Sequence, residues 1–340
     1  VWPNPSVGCV IVDANGHVIA RGWTQDGGRP HAETVALGLA GAKSKGATAY
    51  VSLEPCSHHG QTGPCAQALI EAGVSRVVSA LEDPDPRVAG RGHDMLRAAG
   101  IDVTTGVLGD AARDLNSGFL SRVETGRPHV TLKIASTLDG RIALPSGESQ
   151  WITGEPARAH VHLMRARHDA VMTGIGTVLA DDPELNCRLP GLDHSRAVRV
   201  VVDTRGRLPA ASKLARSAKK QPVWCLVADT AKDAFSVRDV DALAVPRGDG
   251  GVDLDASLRV LADEGITRVL VEGGGRLAAS LLKHKLVDEL LWYRAPRVMG
   301  DGQAAVGGLG LARLPDMPRF SLRETQRLGD DVLETYRIGK

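Results

Sequence analysis

The sequence predicts an α/β protein built as two consecutive layered domains, and three observations carry that reading. At 340 residues the chain exceeds the length at which a single hydrophobic core usually stops growing. Short β-branched segments alternate with helical patterns along its whole length. The alternation is punctuated at TGRP (Thr125 to Pro128), where turn residues separate two self-sufficient patterns and place a first domain at 1–125 and a second at 128–340.

In the first domain SVGCVIVD (Ser6 to Asp13) is apolar and β-branched, ANG is turn chemistry, and HVIARGW completes a hairpin. A helix is expected from about Pro30 to Ser44, with Pro30 as a first helical residue. TAYVSLEP (Thr48 to Pro55) reads as a buried strand and PCAQALIEAG as a helix bounded by Pro64 and Gly73. A strand at Arg76 to Leu81, a helix ending near Ala99, a strand in IDVTTGV and a helix at Asp110 to Glu124 follow.

Beyond the boundary, strands are expected at Val130 to Ser136, Ala170 to Thr173, Val198 to Asp203, Val223 to Ala228, Thr267 to Glu272 and Leu286 to Arg294. Helices fit Pro156 to Arg167, Leu254 to Glu264 and Arg276 to Lys285. The tail from Phe320 to Ile338, with LGDD in its middle, reads as a closing hairpin.

Composition narrows the partner. Apolar residues make up 43% and charged residues 24%, and the net charge is +1, so no basic field exists to hold a nucleic-acid backbone. Aromatic residues are 3%, too few to stack splayed bases. A small neutral or anionic molecule is the expected substrate, with no nucleic acid and no membrane. Five sparse cysteines do not form a disulfide framework, and there is no apolar run of membrane-spanning length, so a cytoplasmic protein is expected. The chain opens on Val1 and enters a strand almost at once, which predicts a missing upstream piece.

The chemistry concentrates in PHAE and in EPCSHHGQTGPC. A zinc ion that activates water needs three protein ligands, an open fourth position and a carboxylate beside it. His31, Cys56 and Cys65 can supply the ligands and Glu33 the proton shuttle. The set resembles the H-x-E…P-C-x-x-C signature of zinc nucleobase deaminases, although eight residues (Ser57 to Pro64) separate the two cysteines here instead of two. A closed structural site with His58 or His59 as fourth ligand is the alternative, and it leaves Glu33 without a use. Cys9, Cys187 and Cys225 lack partner motifs and read as core or incidental residues.

WPNPSVGCVIV, PHAE, EPCSHHGQTGPC and DPDPRVAGRG resemble the deaminase half of the bifunctional riboflavin-biosynthesis deaminase/reductase family. LKIASTLDGRIA, SGESQWITG, MTGIGTVLADDPELNCR, VVVDTRGRL and LVEGGGRLAASLL resemble its reductase half. The resemblance spans essentially the whole chain apart from an N-terminal helix of the family. It implies a cytidine-deaminase-like three-layer domain followed by a dihydrofolate-reductase-like α/β domain. It also implies two reactions: zinc-dependent loss of the ring amine from a diaminopyrimidinone carrying a ribosylamino phosphate, then reduction of the ribosyl unit to a ribityl chain by NADPH. Asn4 and the neighbours of His31 would line the pyrimidine pocket, and the loop from Ser57 to Gly63 would approach the substrate. Two positions depart from the family: Gln61 replaces a basic residue and Gly63 a proline, which should weaken substrate binding more than the chemical step unless Arg87, Arg91 or an incoming chain compensates.

In the second domain the glycine run Gly273, Gly274 and Gly275 follows a strand and opens a helix, an order that suits a pyrophosphate. By itself a glycine triplet is as often a turn. The resemblance implies that Ala135, Trp151, Thr177, Asp181 and Thr204 contact the dinucleotide, with Gly274, Gly275, Arg276, Leu277, Ala278, Ala279 and Ser280. It assigns Ser149, Arg165, Leu185, Arg188 and Glu272 to the substrate. Taken singly, Trp151 could equally be core, Arg165 and Arg188 solvated charges, and Asp181-Asp182-Pro183 a turn. A homo-oligomer, dimer or tetramer, is expected. The rival readings are a nucleobase or nucleic-acid deaminase with an appended dinucleotide-binding domain, and a non-catalytic zinc-stabilised binding module.

Overall fold

A computed structural model describes residues 1–58, 63–86, 88–192 and 197–339. The chain forms two compact units, Val1–Gly126 and Arg127–Lys340. His59, Gln61, Arg87 and part of the Ser57 to Gly63 loop, which the sequence reading singled out, lie outside the described residues.

The first unit runs β1 (Gly8–Val12), β2 (Val18–Trp23), α1 (Ala32–Ala40), β3 (Thr48–Val51), α2 (Cys65–Glu71), β4 (Arg76–Ser79), α3 (Arg91–Ala98), β5 (Asp102–Thr105), α4 (Gly109–Leu115) and α5 (Ser117–Thr125). The sheet order is β2-β1-β3-β4-β5. The hairpin β1/β2 is antiparallel, as the turn chemistry predicts, and β1/β3 is antiparallel too, whereas β3/β4 and β4/β5 are parallel. The core is made of small and branched residues, among them Cys9, Ile11, Ala36, Ala49, Ala66, Leu69 and Val77. Truncating the fully buried Leu69 to Ala would cost about 2–5 kcal/mol.

Small residues let α1 lie directly on the sheet. A Cβ on Gly22 of β2 would fall 2.2 Å from the Ala32 carbonyl oxygen and 2.6 Å from the Ala36 nitrogen. The start of α1 is therefore registered by backbone contact.

Two expectations need correction. The helix expected from Pro30 begins at Ala32, with His31 as an extended N-cap (ψ 159°) whose carbonyl accepts from Val35. The Pro30 carbonyl is engaged by the Gln25 amide and belongs to the preceding loop. The single helix expected over Asp110 to Glu124 is two, broken at Asn116. There the buried Asn116 side chain accepts the Ser6 N–H at 2.9 Å, a long-range bond that outcompetes helix continuity.

The second unit runs β6 (His129–Ser136), β7 (Arg141–Ala143), α6 (Glu155–Arg167), β8 (Ala170–Gly174), α7 (Ile175–Asp181), β9 (Val198–Val202), α8 (Lys213–Arg216), β10 (Val223–Ala228), α9 (Asp229–Lys232), β11 (Asp241–Val245), β12 (Arg247–Gly248), β13 (Gly251–Val252), α10 (Leu254–Asp263), β14 (Arg268–Val271), α11 (Gly275–Lys283), β15 (Glu289–Arg294), β16 (Gln303–Ala304), β17 (Phe320–Leu328) and β18 (Asp331–Ile338). One sheet takes the order β11-β10-β9-β8-β14-β6-β15-β18-β17. The strands from β11 to β15 pair in parallel, and the tail closes the edge as an antiparallel hairpin turning at Gly329 (φ 69°). Parallel strands buried on both faces explain the continuous apolar run of β10 and the valines of β9, a strand interrupted by the buried Arg199. Strand β11 and helix α7 were not anticipated.

Cys9 and Cys225 are core residues, as expected, and Cys187 is a partly exposed loop residue. Among the described residues no helix is long and apolar enough to cross a membrane.

Candidate active sites

In the first unit the metal-donor geometry follows from two helix starts. His31 caps α1, and Cys65 is the first residue of α2, with Pro64 extended before it (ψ 141°). Cys56 lies in the turn after β3. The donor atoms of His31, Cys56 and Cys65 all lie within 4.8 Å of one another. His31 Nδ1 is 3.2 Å from Cys65 Sγ and 3.7 Å from Cys56 Sγ, and the Cys65 amide donates to Cys56 Sγ at 3.3 Å. The sequence reading brought these three together and the structure does the same. His58 is not in the group.

Protons in this cluster are shared. The hydrogen bond from Cys65 pulls the Cys56 thiol down, aided by His31, while the bond to Cys56 together with burial pushes Cys65 up. His31 is raised, chiefly by its bond to Cys56. Two sulfurs and one imidazole nitrogen, with one thiol already inclined to ionise, fit a zinc ion with an open fourth position. Glu33 stands in the first turn of α1 and is buried, and burial pushes its carboxyl up to about 7. A carboxyl poised near neutrality can both take and return a proton. Asn4, at the exposed N-terminal segment, is seated against Gly28, where a Cβ would fall 2.1 Å from Asn4 Nδ2 and φ is +85°. Only glycine meets both conditions.

In the second unit the candidate residues gather at the carboxyl ends of neighbouring parallel strands, the usual place for a ligand crevice in such sheets. Ala135 is near the end of β6, Thr177 in α7 after β8, Thr204 after β9 and Gly274 after β14. Gly274 is the N-cap of α11, and a Cβ there would meet only Thr177 Oγ1, at 3.8 Å. That opening between two helix starts is a space a dinucleotide phosphate would fill. Gly275 differs, because a Cβ there would lie 2.5 Å from the Ala304 carbonyl oxygen, and its own carbonyl accepts from Gly307. Its glycine is a packing requirement. Ala278 and Ala279 face the core, whereas Arg276 is exposed. Thr204 Oγ1 accepts the Val252 amide, and Asp181, raised by burial, is hydrogen-bonded by Ser149. Asp182 has φ 40° and ends α7, so the Asp-Asp-Pro stretch is a turn. Trp151 is 58% exposed with Arg158 stacked 4.8 Å from its ring centroid, so it is not a core residue.

Arg165 and Glu272 form a bidentate pair, Nε to Oε1 at 2.6 Å and Nη2 to Oε2 at 2.8 Å. Arg165 also donates to the Asn186 carbonyl at 2.9 Å, and Arg188 Nη1 reaches Asn186 Oδ1 at 3.2 Å. The two arginines therefore meet around one loop, in which Leu185 is buried with φ 53°. Burial pushes the Glu272 carboxyl up, but the Arg165 guanidinium and Lys133 bring it down to about 2. Lys133 is the residue sequence reasoning missed: it lies on β6 against this pair, lowered by burial and held up by Glu272. The available signal was one lysine flanked by Leu132 and Ile134 within a strand.

The comparisons agree with both halves. The cytidine and deoxycytidylate deaminase zinc-binding region matches residues 2–81, and the RibD C-terminal domain matches residues 128–333. The riboflavin biosynthesis protein RibD of Escherichia coli K12 is 44% identical over 97% of this chain and 92% of its own length. The solved structure of Acinetobacter baumannii RibD superposes with a TM-score of 0.90 at 40% identity, covering 99% of this chain and 93% of that one. A Thermotoga maritima diaminohydroxyphosphoribosylaminopyrimidine deaminase/5-amino-6-(5-phosphoribosylamino)uracil reductase gives 0.88 at 35% identity, covering 100% and 93%. With a deaminase-type zinc centre in one unit and a dinucleotide crevice in the other, the chain belongs to the RibD family of riboflavin biosynthesis, a zinc-dependent deaminase and an NADPH-using reductase in one polypeptide.

Proposed function

We propose that the first site removes the ring amine of a diaminopyrimidinone carrying a ribosylamino phosphate, and that the second reduces the ribosyl unit of that product to a ribityl chain. The observation that carries this is the convergence of His31, Cys56 and Cys65 beside the buried Glu33. The name of the Thermotoga relative supports the same substrate pair. In this reading the three residues hold zinc, which supplies an activated water at neutral pH. Glu33 would take up a proton at its carboxylate and hand it to the leaving amine, and Asn4 would orient the pyrimidine.

In the second site Gly274 and the start of α11 receive the pyrophosphate of NADPH, with Gly275 fixing the floor beneath it. Ala135, Trp151, Thr177, Asp181 and Thr204 line the remainder of the dinucleotide, together with Arg276, Leu277, Ala278, Ala279 and Ser280. NADPH supplies the hydride, and the protein's task is positioning. Arg165 and Arg188 take the substrate phosphate by charge-assisted bonds, with Ser149, Leu185 and Glu272 beside them. The near-zero net charge and scarce aromatics favour a small-molecule substrate without nucleic acid or membrane. We place the enzyme in the cytoplasm as a homo-oligomer.

The test is to supply the diaminopyrimidine with and without NADPH and to weigh the products. A gain of one mass unit reports deamination, and a further gain of two reports reduction. Recovery of unchanged substrate from zinc-loaded protein would overturn the proposal.

A further inference from the structure

Glu54 stands two residues before Cys56, and its side chain has no solvent exposure. Its carboxylate accepts four backbone N–H groups. Oε2 takes those of Asp83 (3.2 Å) and Gly90 (2.9 Å), and Oε1 those of Gly92 (2.8 Å) and His93 (3.3 Å). All four donors come from the loop after β4 and the first turn of α3. The nearly enclosed His93 ring adds a nitrogen at 3.8 Å. A buried carboxylate is costly unless its lone pairs are filled, and here one loop fills them.

The same loop touches the metal-ligand turn a second way. A Cβ on Gly92 would lie 1.9 Å from the Pro55 carbonyl oxygen, next to Cys56. The turn keeps two bonds that do not use the carboxylate, Glu54 N–H to Leu81 O at the very start of that loop (2.8 Å) and Ala66 N–H to Cys56 O from α2 (3.1 Å). Loss of the Glu54 charge should therefore release the loop and leave the ligands in place.

We propose that Glu54 is a positioning residue: its buried carboxylate clamps the loop after β4 and the first turn of α3 against the Cys56 turn, and so sets one wall of the substrate pocket in the first site. The proposal rests on reading that site as the pyrimidine deaminase. Glu54→Gln replaces one acceptor oxygen with an NH2 that faces N–H donors. In the zinc-loaded full chain it should raise the KM for the phosphorylated diaminopyrimidine about tenfold or more, with kcat little changed, because charged-acceptor bonds are lost from binding geometry alone. Bound zinc and reduction of the deaminated product should be unaffected. The amides of Gly90, Gly92 and His93 should exchange with deuterium faster, while those of α1 do not.

Gly92→Ala, whose Cβ would fall 1.9 Å from the Pro55 carbonyl oxygen and 3.1 Å from Glu54 Oε1, forces the loop off the turn and keeps the carboxylate charge; it should give the same KM rise and serves if Glu54→Gln fails to fold. Unchanged KM and exchange in the folded variants would overturn the proposal, as would loss of zinc in step with activity. If wild-type protein does not turn over the pyrimidine, the reading of the site fails, and amide exchange alone then decides the clamp.

Discussion

The two sites of this chain are built by different rules. The first concentrates its chemistry in three donors within 4.8 Å, two delivered by helix starts and the third by the loop after β3. The second, in the proposed reading, spreads over six or more segments and relies on backbone openings and on one preformed ion pair, Arg165 with Glu272. A metal centre is a short-range constraint on scarce residue types, whereas a dinucleotide crevice is a shape. The former tolerates no substitution of a donor, and the latter depends on where side chains are absent.

Four experiments can break or sharpen that contrast. The largest effect is expected from Glu33→Gln. It should cut deamination by about 10²–10⁴-fold while zinc stays bound and reduction of the deaminated substrate continues. Product masses and metal analysis check this, and unchanged deamination would remove Glu33 from the mechanism. Next is Arg165→Ala, which strands the 9%-exposed Glu272 carboxylate without its partner. A loss of about 3–5 kcal/mol in the unfolding of the second unit should accompany loss of reduction. Equal loss of deamination would mean that the two sites are not separable.

The third concerns acid. His168 is buried, bonded to the Met164 carbonyl and to Thr131 Oγ1, and burial lowers its pKa from 6.5 to about 4. The unfolded chain binds this proton first, so stability is complete above about pH 6.5 and falls as pH drops toward 4, by up to roughly 3 kcal/mol. Urea midpoints between pH 7 and 4 report it, and His168→Gln should flatten the slope. The smallest effect belongs to Gly274→Val. It fills the open space beside Thr177 and should raise the KM for NADPH about tenfold with deamination untouched. Gly275→Val collides with Ala304 instead, so it should lower stability as well as cofactor use. If both variants behaved alike, the split between opening and packing would be wrong.

The difference in building rules also explains what was legible. His31, Glu33, Cys56 and Cys65 stand out because their types and spacings have few structural uses. The hairpin at β17/β18 and the strands β6, β8, β9, β10 and β14 follow from β-branched runs and turn residues. Helix α7 was obscured because its sequence, IGTVLAD, carries a glycine and β-branched residues that depress helix propensity. It forms because Ile175 and Val178 pack into the core beneath it. Lys133 was invisible for a related reason: its charged neighbours Arg165 and Glu272 lie more than thirty and more than one hundred positions away in sequence. The break at Asn116 likewise depends on Ser6, a partner no local window contains.

That last bond has a consequence for how the first unit can be divided. The zinc-binding match ends at residue 81, yet the segment bearing Asn4 is latched to Asn116. The chemistry and its scaffold therefore have different lengths. A fragment cut after the final strand of the sheet would retain every metal donor and lose the fastening of its own beginning. The start of the first unit is thus fastened by a side-chain amide in a helix break, thirty-five residues beyond the zinc-binding match.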